Sequence, residues 1–435
     1  MNIIKAKISR IAKNKEAKTV AGNFMWLSLL QVAGYVFPLI TMPYLARVIG
    51  VEGFGKIAFA SAIMVWIQTI ADWGFNLTAT RDVAQNRENP QKVSEIFSNV
   101  LWARCLLMVV SFIVLLILIV AIPQFKENSD VILVSFLMVP GHILFPDWFF
   151  QAVERMKYTT ILNVIMKLIF TLAVFIFIKD KDDYILQPLF TSLGFVVCGV
   201  IALYIIIKKW NVSLYRPNWG NVIHTIKNST DVFINHLMPN LYNSFSTMLL
   251  GIVGGGSAVG ILDGGNKFVS IGNQIQTTIN RAFYPFLARK IDKHNLYLLI
   301  NLCISIVMAL FLFFGAPLIV EWMLSNEFSD SVIVIKIRSI SMIFYAISSA
   351  YGANYLIIKH KEALLRKITM RCSLIGFALA WPLVYYYEYV GASLTVTISL
   401  GLLAISYYIA AKKIKKQEIL ECRNLSDNKK INNHI

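Results

Sequence analysis

The sequence predicts an all-α polytopic membrane protein with twelve transmembrane helices in two groups of six, and three observations lead there. Of 435 residues, 57% are apolar and only 15% charged, where a soluble domain is roughly 25% charged. The apolar residues fall in repeated blocks of about twenty, enough for a helix to cross a bilayer. Lys and Arg gather in alternate connections between those blocks, as they do in loops on the cytoplasmic side. These features exclude a soluble enzyme, a transcription factor and a secreted disulfide scaffold. The net charge of +17 calls for no nucleic acid, because basic loops beside anionic headgroups account for it. Cys105, Cys198, Cys303, Cys372 and Cys422 have neither disulfide nor zinc-ligand spacing and read as small apolar fillers.

Residues 1–19 form a basic segment whose Ile3, Ile4, Ile8 and Ile11 recur at helical spacing. They suit a helix lying on the inner membrane surface, or a disordered basic leader. The segment runs straight into a full span, unlike a cleavable signal. Spans are expected near 22–46, 55–78, 97–121, 130–153, 158–178 and 184–207, making an N-lobe over 20–207. A linker over 208–225 holds Pro217 and Gly220. A C-lobe over 226–411 follows, with spans near 226–252, 258–287, 296–323, 331–358, 365–386 and 389–411. The seventh and eighth are weak by hydropathy because polar residues interrupt them. Residues 412–435 form a basic tail. Thirty Lys and Arg fall in the termini and even-numbered loops against five in the odd-numbered ones, which places both termini in the cytoplasm. Gly53, Gly55 and Ala58 open span 2, and Gly256, Ala258 and Gly260 open span 8, half a chain apart. That is a faint sign of the internal repeat common among transporters.

Ionisable residues inside spans normally face a cavity or a partner. Arg104, Lys167, Lys267, Arg281, Lys336 and Arg338 are such bases, and Asp72, Asp147, Asp231 and Asp263 such acids. In span 8, Asp263, Lys267, Ser270, Gln274, Thr277 and Arg281 are spaced 4, 3, 4, 3 and 4 residues apart, on one helical face. They cover about 27 Å of rise, with Asn266, Asn273 and Asn280 alongside. A water-lined path is expected, and a polar seam between packed helices is the alternative. An ion pair between Asp263 and Lys267 is available at this spacing. Span 7 adds Asn228, Asp231, Asn235, Asn243 and Ser246, with Pro239 expected to kink it. Asp72 and Asp147 sit near helix ends, where capping or a local pair would explain them. Trp73 and Trp148 suit the headgroup-level aromatic belt. His142 and His236 look isolated, giving no metal-ligand set. No G-x-S-x-G, H-E-x-x-H or C-x-x-C occurs, and the glycine-rich 251–256 lacks a P-loop Lys. No enzyme chemistry and no cofactor are expected.

Several motifs resemble those of the Wzx-type flippases for lipid-linked oligosaccharide repeat units, in the polysaccharide-transporter branch of the MOP superfamily. They are Pro43-Tyr44-Leu45-Ala46-Arg47-Val48-Ile49-Gly50 with Gly53-Phe54-Gly55, and Asp72-Trp73-Gly74-Phe75-Asn76-Leu77-Thr78-Ala79-Thr80. Pro146-Asp147-Trp148-Phe149-Phe150-Gln151-Ala152 and Tyr284-Pro285-Phe286-Leu287-Ala288 complete the set. The resemblance implies two six-helix lobes in a V around a hydrated cavity. It implies a transporter that turns undecaprenyl-pyrophosphate oligosaccharides from the inner to the outer leaflet of the bacterial cytoplasmic membrane, for O-antigen or capsular polysaccharide. A pyrophosphate calls for cationic partners: Lys267, Lys167, Arg281, Arg104, Arg47 and Arg338. Sugars call for amides: Asn273, Gln274 and Asn235. Asp263, Asp72, Asp231 and Asp147 are the coupling candidates. Expected partners are the lipid bilayer and the polymerase and chain-length regulator of the same pathway. A multidrug or organic-cation exporter of the same fold is the alternative, and a membrane-embedded glycan polymerase a more distant one.

Overall fold

The structure, a computed structural model, describes residues 15–432, whose regular structure is helical throughout. The expected surface helix over 3–11 lies outside them. Nine helical stretches among the described residues are long and apolar enough to cross a membrane, so the chain is a multi-pass membrane protein. Two compact units divide it. The first holds the residues up to Asn240 together with Gly254–Gly260 and Met323–Glu327, and the second holds Leu241–Val253, Ile261–Trp322 and the residues from Phe328 onward.

In the first unit, α1 (Lys15–Val48) leads into α2 (Gly50–Asp72) and α3 (Phe75–Gln85). Span 2 is thus two helices, because Trp73 and Gly74 both adopt left-handed backbone, at φ 40° and 79°. A Cβ on Gly74 would also lie 2.7 Å from Val232, so glycine is required there on both counts. Next comes α4 (Pro90–Ala121), with Pro90 at its first position and the Asn89 side chain accepting from the Lys92 N–H at 3.1 Å, a conventional cap. A short α5 (Pro123–Glu127) lies in the connection, and span 4 is broken into α6 (Ser129–Phe136), α7 (Met138–Leu144) and α8 (Asp147–Ala152). Phe145 and Pro146 leave helical geometry between the last two. That break turns the following aromatic run inward. Trp148 is 2% exposed and packs with Phe97 and Phe149 in the unit's core, not at a headgroup belt as its sequence position suggested. Then follow α9 (Met156–Phe177), α10 (Leu186–Trp210) and α11 (Trp219–Leu237). The irregular connection before α11 is only 211–218, because Asn218 caps the helix by accepting from the Gly220 and Asn221 N–H groups.

The second unit holds α12 (Ser244–Val253), most of α13 (Gly255–Arg289), α14 (His294–Met323), α15 (Ser331–Tyr351) and α16 (Glu362–Asn432). The expected seventh span is interrupted by a 3-10 turn, Met238–Leu241, that contains Pro239. Spans 11 and 12 run through α16, which breaks at Glu388, where φ is 45° and ψ is −123°. A π-helical turn, Gly352–Ile357, follows α15.

The two glycine clusters read as a faint repeat have a direct physical meaning. Both lie in the first unit, and they pack against each other. A Cβ on Gly55 would lie 1.7 Å from the Gly256 carbonyl oxygen, and one on Gly260 would lie 2.1 Å from that of Val51. Backbone meets backbone where α2 crosses the start of α13.

Candidate functional site

In the first unit, α4 carries Arg104, 2% exposed, and its guanidinium donates to the Asp72 carboxylate at the end of α2. Asp147 also acts on that charge while its Oδ1 accepts the Trp148 N–H at 2.8 Å. Arg104 thus has two carboxylates around it. Its Nε and Nη1 are buried without a hydrogen-bond partner among the described residues. His142 on α7 lies within electrostatic reach of the same guanidinium. Asp72 further lines a cavity of about 220 Å³ with Gln68, Asn76, His236 and Asn240. Asn240 Nδ2 donates to Thr69 Oγ1 at 2.9 Å, and Trp73 stacks on Phe233 at 3.8 Å beside it. The two histidines expected to be isolated therefore flank one charged centre.

In the second unit, Asp263 and Lys267 form an i,i+4 ion pair at 3.3 Å, with the Lys267 side chain 47% exposed. The polar stripe of α13 divides. Ser270 and Arg281 are exposed like Lys267, and Gln274 is half-buried. Thr277 instead packs inward, bonded to the Tyr345 hydroxyl at 2.7 Å. The flanking asparagines serve the unit's interior. Asn266 accepts from Arg338 Nε at 2.9 Å, and Asn280 and Asn354 share the Tyr297 hydroxyl. Asn273 Oδ1 is buried without a partner among the described residues. Arg338 is 5% exposed, with Nη1 likewise unpartnered. A buried cation held by an amide keeps its full charge, whereas one held by carboxylates is neutralised.

Residues 20–291 match the family described as "Polysaccharide biosynthesis protein". The chain belongs to that family. Similar relatives include a protein of Escherichia coli (strain K12) named "Putative O-antigen transporter", 27% identical over 88% of this chain and 94% of its own length. A protein of Shigella dysenteriae with the same name is 26% identical over 90% of this chain and 99% of its own. Among solved structures, the lipid II flippase MurJ in an inward closed conformation is similar, with a TM-score of 0.69 at 13% identity, covering 88% of this chain and 87% of that one. So is an inward-facing multidrug resistance MATE family transporter, with a TM-score of 0.68 at 14% identity, covering 90% and 97%. The fold is that of the MOP superfamily.

Other expected site residues of this polysaccharide biosynthesis protein are spread over both units. Arg47 Nε donates to the Leu324 carbonyl at 3.5 Å. Lys167 is half-buried on α9, with no ion-pair or hydrogen-bond partner among the described residues. Asp231 and Asn235 are exposed on α11. Sequence reasoning passed over Gln68 and Asn240 and read His236 as isolated; all three join Asp72 only once the break at Trp73 and the turn at Pro239 bring α2 and α11 together. Gln276, fully buried with both amide atoms unpartnered among the described residues, was also missed, since it lies off the stripe. Outside the spans, Glu154 sits at left-handed φ 56° and pairs with Arg87 at 2.6 Å. That hydrogen bond holds its carboxyl below the usual range. Glu327 is lowered in the same way by the Val51 N–H at 2.9 Å and then by Lys181 at 3.0 Å.

Proposed function

We propose that this polysaccharide biosynthesis protein is a transporter, not an enzyme: a flippase for undecaprenyl-pyrophosphate-linked oligosaccharide repeat units. It moves them from the inner to the outer leaflet of the bacterial cytoplasmic membrane by alternating access, for O-antigen or capsular polysaccharide assembly. Twelve spans form two six-helix lobes, and both termini are cytoplasmic. The observation that carries this reading is the set of cations within the apolar helices of a member of this family. Lys267, Lys167 and Arg281 supply charge for a pyrophosphate that cannot cross hydrocarbon uncompensated. Arg47, Arg104 and Arg338 support the same path. Gln274, Asn273 and Asn235 offer amides to sugar hydroxyls. Asp72 and Asp147 around Arg104, with Asp231 and Asp263, are the groups whose protonation would bias the return step. An alternating-access cycle needs such a load, because a ligand shifts an equilibrium only through differential affinity. The O-antigen in the relatives' names and the lipid II in the flippase's name support this reading.

The second reading is an organic-cation exporter, favoured by the paired carboxylates around Arg104. Deleting the gene separates the two. A flippase predicts accumulated lipid-linked single repeat units and loss of surface glycan. Normal surface glycan with heightened sensitivity to organic cations would replace the first reading by the second.

A further inference from the structure

The second unit contains a cavity of about 440 Å³ away from the polar stripe of α13, on the side where the basic loops lie. We propose that it is a binding pocket for a phosphate group, carried either by an anionic lipid headgroup or by a free phosphate compound. Its walls are the turn Ile291–Lys293 with the start of α14, the end of α15 with the π-helical turn Gly352–Ile357 and Lys359 beyond it, and the late part of α16. A π-helical turn widens the backbone and recurs at functional sites. Here it sets Tyr355 against the cavity, beside Tyr351 and Tyr408. Tyr351 meets the other two rings edge-on, at 6.4 and 5.3 Å between centroids. The volume falls within the range of small-molecule sites.

Charge decides the ligand class. Both carboxylates of the lining are already matched: Glu418 takes Lys359 at 2.7 Å, and Asp292 takes Lys293 at 3.4 Å. Lys412 and Lys415 also line the cavity and have no acidic partner among the described residues. Lys412 lies over the Tyr408 ring at 6.0 Å, and Lys415 acts on the charge of His294, whose Nε2 is within 3.0 Å of the Ala350 carbonyl. Two uncompensated ammoniums beside three tyrosines suit an anion with a polar head and an apolar neighbour. Basic pockets at the cytoplasmic ends of spans recognise phosphorylated headgroups by this chemistry. A neutral sugar would gain nothing from the two lysines, and a cation would be repelled.

The test uses the purified full-length protein in detergent with phosphatidylcholine, at fixed ionic strength. Phosphatidylglycerol or inorganic phosphate is then added and the unfolding midpoint recorded. Saturating ligand is expected to raise the midpoint by about 3 °C or more. A rise with phosphatidylglycerol alone identifies a lipid headgroup, and a rise with inorganic phosphate identifies a soluble source. The Lys412→Ala/Lys415→Ala variant is expected to lose the rise and Lys412→Arg/Lys415→Arg to keep it. Lys361→Ala/Lys367→Ala removes the same charge from exposed positions outside the cavity and is expected to behave as wild type. No rise with either probe, or equal loss in the Lys361/Lys367 variant, overturns the proposal.

Discussion

The two units bury an arginine in opposite ways. In the first, Arg104 is paired with the Asp72 carboxylate, and Asp147 acts on its charge. In the second, Arg338 is held by the amide of Asn266. Two of the glycines differ as well. Gly55 in the first unit faces the Gly256 backbone, whereas Gly272 in the second faces the Met342 methyl, 2.4 Å from a Cβ placed there. The first unit joins its polar and backbone groups to each other through fixed contacts. The second leaves the buried Arg338 charge without a carboxylate partner among the described residues and holds it by an amide. What separates the two units is the charge balance at the buried arginine: a carboxylate in one and a neutral amide in the other.

The largest expected effect lies at the glycine crossing. Gly55→Ala sets a methyl on a carbonyl oxygen that cannot move aside, and should remove folded protein from the membrane. Its cost exceeds the usual overpacking range of about 1–3 kcal/mol. Gly272→Ala displaces only a flexible methionine end and should leave abundance near normal. Equal abundance of the two variants would dissolve the contrast.

Next in size is removal of each arginine's partner. Asp72→Ala removes the carboxylate that accepts from the buried Arg104 guanidinium and should cost about 3–5 kcal/mol. Asn266→Ala removes one hydrogen bond to a charged group, about 1.5–3 kcal/mol. Unfolding midpoints of the purified variants check the order, and a larger loss for Asn266→Ala would reverse the assignment of the neutralised unit.

Much of this was legible before any coordinates. The apolar blocks gave helices that cross a membrane, and the i,i+4 spacing gave the Asp263–Lys267 pair, whereas the 4, 3, 4, 3, 4 spacing marked a stripe that divides, with Thr277 turned inward. Arg104 was legible as an intramembrane base, but its partners were not. Asp72 is 32 positions away in sequence, and the meeting depends on where α2 ends. That end is set by two left-handed residues, and Trp73 carries no such preference in its residue type. The breaks in spans 2 and 4 are local backbone events that hydropathy averages away. Trp148 was misplaced because an aromatic next to a proline reads alike at a membrane interface and at an inward turn. The glycine clusters were noticed for their similarity, whereas their contact with each other required the fold.

The smallest effect concerns the loop pair Arg87–Glu154. The folded-state carboxyl of Glu154 lies below its ordinary 4.5, so its contribution is present above that value and fades as pH falls through the lowered one. Both side chains are more than a third exposed, so screening keeps the contribution small. Arg87→Ala should therefore flatten the acid limb of the stability curve slightly and leave neutral pH nearly unchanged. A loss at pH 7 as large as that of Asp72→Ala would place this loop among the fixed contacts of the first unit.

Under the proposed function, an anionic lipid-linked glycan passes the exposed ammonium of Lys267. The direct test is transport in vesicles reconstituted with the protein and pyrophosphate-linked repeat units, with a membrane-impermeant glycosidase reporting arrival on the opposite face. Wild-type protein should deliver the substrate, Lys267→Arg should retain part of that transport, and Lys267→Ala at equal protein content should deliver none above protein-free vesicles. Full delivery by Lys267→Ala would contradict the account.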